Sequence, residues 1–263
     1  MKLHEDKFAF LNIINLIHEA SGIRSDILEK DYYVTLLLRE LADKQAELPA
    51  YFKGGTALYK AQKSIRRFSE DIDLSYTAES GVPGDSRKRQ LKKAVLSTMN
   101  EIDLDITNLD ETRSRRNYNC YRAAYSSMYG QSDILKPELV VETYVALLPF
   151  PTARRMVDNY IYRFLRKINR LDLAEKYDLL PFEITTQTIE RTLVDKIFAI
   201  CDYYMQGKAE RHSRHLYDIF KIMEKVQITD ELAALISEVR KQRSTLAVCP
   251  SAKENVCVTD ILY

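Results

Sequence analysis

The chain has 263 residues, 46% of them apolar and 29% charged, which is enough for one large domain or two small ones sharing a core. That composition excludes a disordered, collagenous or low-complexity chain. Thirty-nine Lys and Arg against 38 Asp and Glu leave a formal charge of +1, so nucleic acid or a membrane would have to be met by a local patch. Four cysteines, Cys120, Cys201, Cys249 and Cys257, have no paired CxxC spacing, and only four histidines could join them. A zinc site or disulfide framework is not expected, and Cys201 reads as a small core residue. The first residues break into charge before an apolar leader can form, and no later apolar run is long enough to span a bilayer. These features predict a cytoplasmic protein with no membrane partner.

In chain order, Phe10, Leu11, Ile14 and Ile17 recur at helical spacing from Asp6 to Ala20, with Gly22 as C-cap. Ser25 can N-cap a second helix over 26–41, so a helical hairpin opens the chain. Residues 51–53 read as a short strand stopped by Gly54 and Gly55, with Thr56 capping a brief helix to Lys63. Residues 69–76 alternate Asp71, Asp73, Ser75 against Ile72, Leu74, Tyr76, the period of a half-buried strand with one acidic face. A loop at 81–84 leads to a basic amphipathic helix ending near Asn100, then strand-like runs at 104–109, 118–129 and 139–148. Pro149 and Pro151 set a boundary, beyond which 153–170, 185–205 and 213–226 read as helices.

Two physical requirements meet in Phe52-Lys-Gly-Gly-Thr-Ala-Leu-Tyr-Lys60 and Arg67-Phe-Ser-Glu-Asp-Ile-Asp-Leu74. Adjacent glycines at a helix start let backbone N–H groups approach a phosphate, and the Thr56 hydroxyl adds a donor, so Gly54, Gly55 and Thr56 read as a triphosphate cradle. Asp71 and Asp73, two apart on a strand, project from one face and can share one or two Mg²⁺ ions, as in-line nucleotidyl transfer requires. Either half alone is weak, since a Gly-Gly pair is commonly a tight turn and an Asp-x-Asp a solvated face.

Together these residues resemble the AbiEii/AbiGii-type abortive-infection nucleotidyltransferase toxins of the polymerase-beta-like superfamily, and the likeness covers most of the chain. Glu29-Lys30-Asp31-Tyr32 resembles the family's N-terminal helix signature, and Val194-Asp-Lys196 and His215-Leu-Tyr-Asp218-Ile resemble two motifs of its helical lobe. The resemblance implies an α+β fold: a nucleotidyltransferase lobe with a mixed sheet over 1–150, then a mainly helical lobe over 151–263. It also implies the toxin of a toxin–antitoxin pair, with a cognate antitoxin, that uses a nucleoside triphosphate to modify a target, in some relatives tRNA. The family often places an acid where His215 stands, so His215 stays outside the catalytic set.

Beyond the first motif, Glu142 lies in an apolar strand where a third carboxylate would join Asp71 and Asp73 as metal ligand or base, with Glu138 on the same face as its competitor. Lys196 falls in the middle of an apolar helix face, where an unpaired ammonium is costly, so it should reach a phosphate or carboxylate unless it snorkels. Periodicity puts Asp218 at the surface, away from the apolar stripe Leu216, Ile219, Phe220, Met223. Its role as partner of Lys196 or as a nucleotide contact comes from the resemblance alone. Arg67 can clamp phosphate bidentately. Ser69 and Lys60 complete the nucleotide-binding set, although Lys60, like Lys53, could be an ordinary surface charge. Lys30 and Asp31 read as structural. Two basic helices, Arg163, Arg166, Lys167, Arg170 and Arg87, Lys88, Arg89, Lys92, Lys93, are either solvated faces or a track for an RNA acceptor. A small-molecule nucleotidyltransferase and a catalytically silent binding module are the alternatives.

Overall fold

A computed structural model of the protein describes residues 1–76, 84–130, 133–208 and 213–258. The loop expected at 81–83 and the end of the chain from 259 lie outside the described residues. One mixed sheet contains β1 (Ala50–Lys53), β2 (Ile72–Tyr76), β3 (Asp105–Ile106), β4 (Tyr118–Ala124), β5 (Glu138–Tyr144), β6 (Thr152–Val157) and β7 (Phe182–Gln187), in the order β3-β4-β5-β2-β1-β7-β6. Helices α1 (Lys7–Ser21), α2 (Ser25–Asp43), α4 (Asp85–Glu101), α5 (Tyr160–Lys167) and α6 (Leu171–Lys176) share its main core. The short α3 (Gly54–Lys60) follows β1, and α7 (Ile189–Met205), α8 (Ser213–Met223) and α9 (Asp230–Ser244) form the helical end. Among the described residues, no helix is long and apolar enough to cross a membrane.

Strand alternation sorts the sheet into two faces. Phe52, Ile72, Leu74, Leu139 and Val141 are almost fully buried on the face covered by helices. Lys53, Asp73 and Glu142, on the other face, are only half-buried. The side of the sheet that carries Lys53, Asp73 and Glu142 is therefore the side that the main core leaves open.

Several expected elements are corrected. Residues 152–157 and 182–187 are strands, so the helices begin at Tyr160 and Ile189. β6 is an edge strand whose Arg154, Arg155 and Met156 are exposed, which gives it no apolar alternation to read. Both strands lie beyond residue 150 and belong to the same sheet as β1–β5. The helix after β1 starts at Gly54 itself, and Ser25 is the first residue of α2, whose flanking Arg24 makes no side-chain cap.

Buried ions on α2 fix the layer beneath the open face. Lys30, 0% exposed, donates to the carbonyls of Lys136 (2.8 Å) and Glu138 (2.7 Å) and pairs with Glu70, joining the approach to β5 to the approach to β2. Asp31 accepts from Lys60 Nζ at 2.6 Å and from the Tyr160 backbone N–H at 3.0 Å. Lys60, only 1% exposed, also donates to Thr35 Oγ1. Lys60 is thus a buried cation committed to Asp31 rather than the nucleotide contact expected: α3 is about two turns long, and its last residue points inward to α2. Lys60→Met should destabilise the fold by about 3–5 kcal/mol, because it strands the buried Asp31 carboxylate. Denaturant titration checks this, and nucleotide affinity of the folded fraction should not change.

Candidate active site

The strand register brings the functional side chains into one row. Lys53 pairs with Asp73 across β1 and β2, Asp73 with Glu142 across β2 and β5, and Glu142 with Cys120 across β5 and β4. Register partners share a face, so Lys53, Asp73, Glu142 and Cys120 stand side by side. Glu138 lies opposite Ala124 and accepts from the Thr107 hydroxyl, so Glu142 and not Glu138 is the neighbour of Asp73.

Burial, with the charges of Glu142 and Asp71 adding to it, pushes the Asp73 carboxyl up to about 7 against the pull of Lys53. Tyr144 donates to Glu142 Oε2 at 2.6 Å and lies beneath Lys53 Nζ, 4.2 Å from the ring centroid. Asp71 Oδ2 accepts from Lys136 at 2.6 Å, whereas its buried Oδ1 has no hydrogen-bond partner among the described residues. Among the described residues, no three His, Cys, Asp or Glu side chains already stand together as a metal cage. The donor chemistry nevertheless fits a hard cation: adjacent carboxylates with an orphaned oxygen and a raised pKa are the groups that an oxygen-seeking divalent ion would satisfy.

The glycines are required by what surrounds them. Gly54 has φ +76°, and a Cβ there would lie 2.0 Å from Asp73 Oδ2. A Cβ on Gly55 would lie 2.8 Å from Arg67 Nη2 and 3.0 Å from Ser69 Oγ. Thr56 is fully buried and its hydroxyl is 3.0 Å from that of Ser69, so it faces Ser69 and does not line the cleft.

Asp218 joins this loop to the helical end. Its carboxylate, 0% exposed, takes Arg67 Nε at 2.8 Å and Nη2 at 2.7 Å and Lys196 Nζ at 2.9 Å. Burial opposes ionisation, but the two cations hold the carboxyl below its ordinary range. The Arg67 fork is occupied by this contact, so a bidentate grip on phosphate is not open in this arrangement. The surface position expected for Asp218 is overturned: Leu216, Phe220 and Met223 are exposed, and α8 buries Asp218 and Ile222. Lys196 does not snorkel. His215 Nδ1 is 3.4 Å from its ammonium.

Between the open sheet face and α7 lies a cavity of about 660 Å³, lined by Lys53, Gly54, Asp73, Tyr118, Tyr144, Lys196 and the 246–249 segment, among others. A larger hollow of about 780 Å³ beside α9 contains none of the row. Lys53 was missed by sequence reading; burial lowers its pKa, with Asp195 and Asp73 acting against that effect. Its signal was its place directly before the glycines on a strand paired with the acidic one.

Residues 35–260 match the sequence profile of a family described as nucleotidyl transferase AbiEii toxin, type IV TA system. The chain belongs to this family. It is therefore a nucleotidyltransferase of the toxin type, with a nucleoside triphosphate as substrate and an antitoxin as the other half of its system. No curated protein matches it in sequence. Its fold is similar to MenT4, a nucleotidyltransferase toxin from Mycobacterium tuberculosis H37Rv, at 15% identity and TM-score 0.52 over 88% of this chain and 70% of that one. JHP933 from Helicobacter pylori aligns at 16% identity and TM-score 0.47 over 89% and 87% of the two chains.

Gly54→Ala should displace the Asp73 carboxylate and force a side chain into positive φ, reducing nucleotidyl transfer by at least tenfold at a stability cost of about 1–2 kcal/mol. Transfer rates and thermal unfolding of the variant check both effects.

Proposed function

We propose that the cleft binds a nucleoside triphosphate with Mg²⁺ and transfers its nucleotidyl group to a cytoplasmic RNA acceptor, tRNA among the candidates. The observation that carries this reading is the row Lys53–Asp73–Glu142 on the open sheet face, of which Lys53 and Asp73 line the cavity together with Lys196. Asp73 and Glu142, with Asp71 turning from Lys136, would hold the metal, which supplies Lewis-acid neutralisation of phosphate charge. Gly54 and Gly55 give the triphosphate close access to backbone, with Thr56 orienting the Ser69 hydroxyl. Lys53 and Lys196 bring cations to the developing charge, and Arg67 and Asp218 keep Lys196 in place. The acceptor oxygen bonds to the α-phosphorus, its proton passing to a carboxylate of the row, while the bond to pyrophosphate breaks and pyrophosphate leaves.

The assay is incubation of the protein with total RNA, Mg²⁺ and each labelled nucleoside triphosphate. Wild type should transfer label to RNA, and Asp73→Asn should stay folded while losing at least a hundredfold in rate, since it keeps the shape and deletes the charge. An active Asp73→Asn protein would contradict the assignment. Label on small molecules alone would replace RNA as the acceptor class.

The basic face of α5 tests the acceptor separately. Arg163 is tied to Asp158 and, just past the helix, Arg170 to Asp172, which leaves Arg166 and Lys167 as the exposed cations of α5 with no ion pair among the described residues. Arg166→Glu/Lys167→Glu should weaken RNA binding and flatten its salt dependence while triphosphate affinity stays constant. Unaltered binding across a salt series would return this face to solvent.

A further inference from the structure

The far wall of the cavity carries two buried polar atoms that have no hydrogen-bond partner among the described residues. Gln187 is 2% exposed and Arg243 is 6% exposed, and both line the cavity. Gln187 Nε2 donates to Asp195 Oδ2 at 2.9 Å and lies 3.3 Å from Thr192 Oγ1. Asp195 thereby fixes which end of the amide is free, and Gln187 Oε1 has no partner. Arg243 gives Nη2 to Asp202 at 2.8 Å and Nη1 to Asp195 at 3.5 Å, while its Nε–H has no partner. One carboxylate, Asp195, therefore orients both side chains, leaving one acceptor and one donor in the same buried wall. Unpaired groups at this depth are costly and rare, which points to a ligand that pairs them.

The place of Gln187 in the sheet says which ligand. β1 and β7 run parallel with Phe52 beside Thr186, so the next residues on the two strands are Lys53 and Gln187. The row on the open face thus begins at Gln187 and runs through Lys53 and Asp73 to Glu142. Gln187 is two strands from Asp73, about 10 Å at ordinary strand spacing, which is the scale of a nucleoside extending from its α-phosphate. Tyr118 and Tyr144 line the same space with flat rings, and Ala199, Leu246 and Ala247 supply apolar surface.

We propose that Gln187 and Arg243 form the nucleobase-reading subsite, in which Gln187 Oε1 accepts from, and Arg243 Nε–H donates to, adjacent groups on the edge of the base. This deepens, and rests on, the reading of the cavity as a nucleoside triphosphate site. Selectivity among triphosphates then resides on the second wall, away from the carboxylates that carry the chemistry. A site with buried hydrogen-bonding groups rejects a base that leaves them unpaired far more strongly than an apolar pocket rejects a poor fit.

The experiment compares kcat/KM for ATP, GTP, CTP and UTP in wild type, Gln187→Met and Arg243→Lys. Mg²⁺-tripolyphosphate affinity serves as a base-free control. Gln187→Met keeps volume and removes the acceptor; Arg243→Lys keeps a cation for Asp195 and Asp202 and removes the Nε–H. Wild type should favour one base by roughly a hundredfold or more, and each variant should compress that preference about tenfold or more. Tripolyphosphate affinity should stay within about twofold. Wild type using all four triphosphates equally, or either folded variant keeping the full preference, would overturn the base-reading assignment while leaving the triphosphate site standing. Failure of wild type to bind either tripolyphosphate or any triphosphate would overturn the cavity reading itself and this proposal with it.

Discussion

The buried carboxylate of Asp218 is the contact on which the site depends. A carboxylate removed from water carries a penalty of several kcal/mol unless opposite charge and hydrogen bonds compensate it, and here the two cations come from different parts of the chain. Arg67 stands in the segment that leads through Ser69 and Asp71 into β2, and Lys196 stands in the middle of α7. One carboxylate on α8 therefore sets the distance between the acidic strand and the helix that closes the cavity over it. Such a contact specifies an arrangement more than it stabilises a fold, because well-packed apolar side chains would cost less.

The same logic recurs wherever layers of this protein meet. Lys30 joins α2 to the residues entering β5 and β2, Asp31 joins α2 to α3 and α5, and Arg243 joins α9 to α7 through Asp195 and Asp202. Buried ion pairs therefore stand on both sides of the sheet, those of α2 in the helix layer of the main core and those of Asp218 and Arg243 at the helical end beside the cavity.

Much of this was legible in the chain. Alternation over 69–76 identified the acidic face, the glycines that open α3 marked a close approach to backbone, which at Gly54 the Asp73 carboxylate makes, and the ammonium of Lys196 on an apolar helix face demanded the partner that Asp218 supplies. What periodicity missed has physical causes. β6 lies at a sheet edge and exposes three consecutive residues, so nothing in its pattern competes with the helix that follows. On α8, the side chains that look like a core stripe are exposed, because the helix is fixed by Asp218 and Ile222 and leaves Leu216, Phe220 and Met223 outside. Lys60 reads as a surface charge because its partner Asp31 lies 29 residues away, on another helix. Lys53 looked ordinary for a related reason: strand register, not sequence spacing, sets it beside Asp73.

That the Asp73–Glu142 pair is the metal-binding centre of the cleft is the proposal on which the others rest. It is tested most directly by a crystal structure of the protein with Mn²⁺ and a nucleoside triphosphate analogue that cannot be cleaved at the α-phosphate, read by the anomalous scattering of the metal. The account predicts an anomalous peak within coordination distance of both the Asp73 and Glu142 carboxylates, with the analogue's phosphates beside Gly54 and Gly55. A peak bound elsewhere, with these carboxylates empty and the analogue outside the cavity, would contradict it.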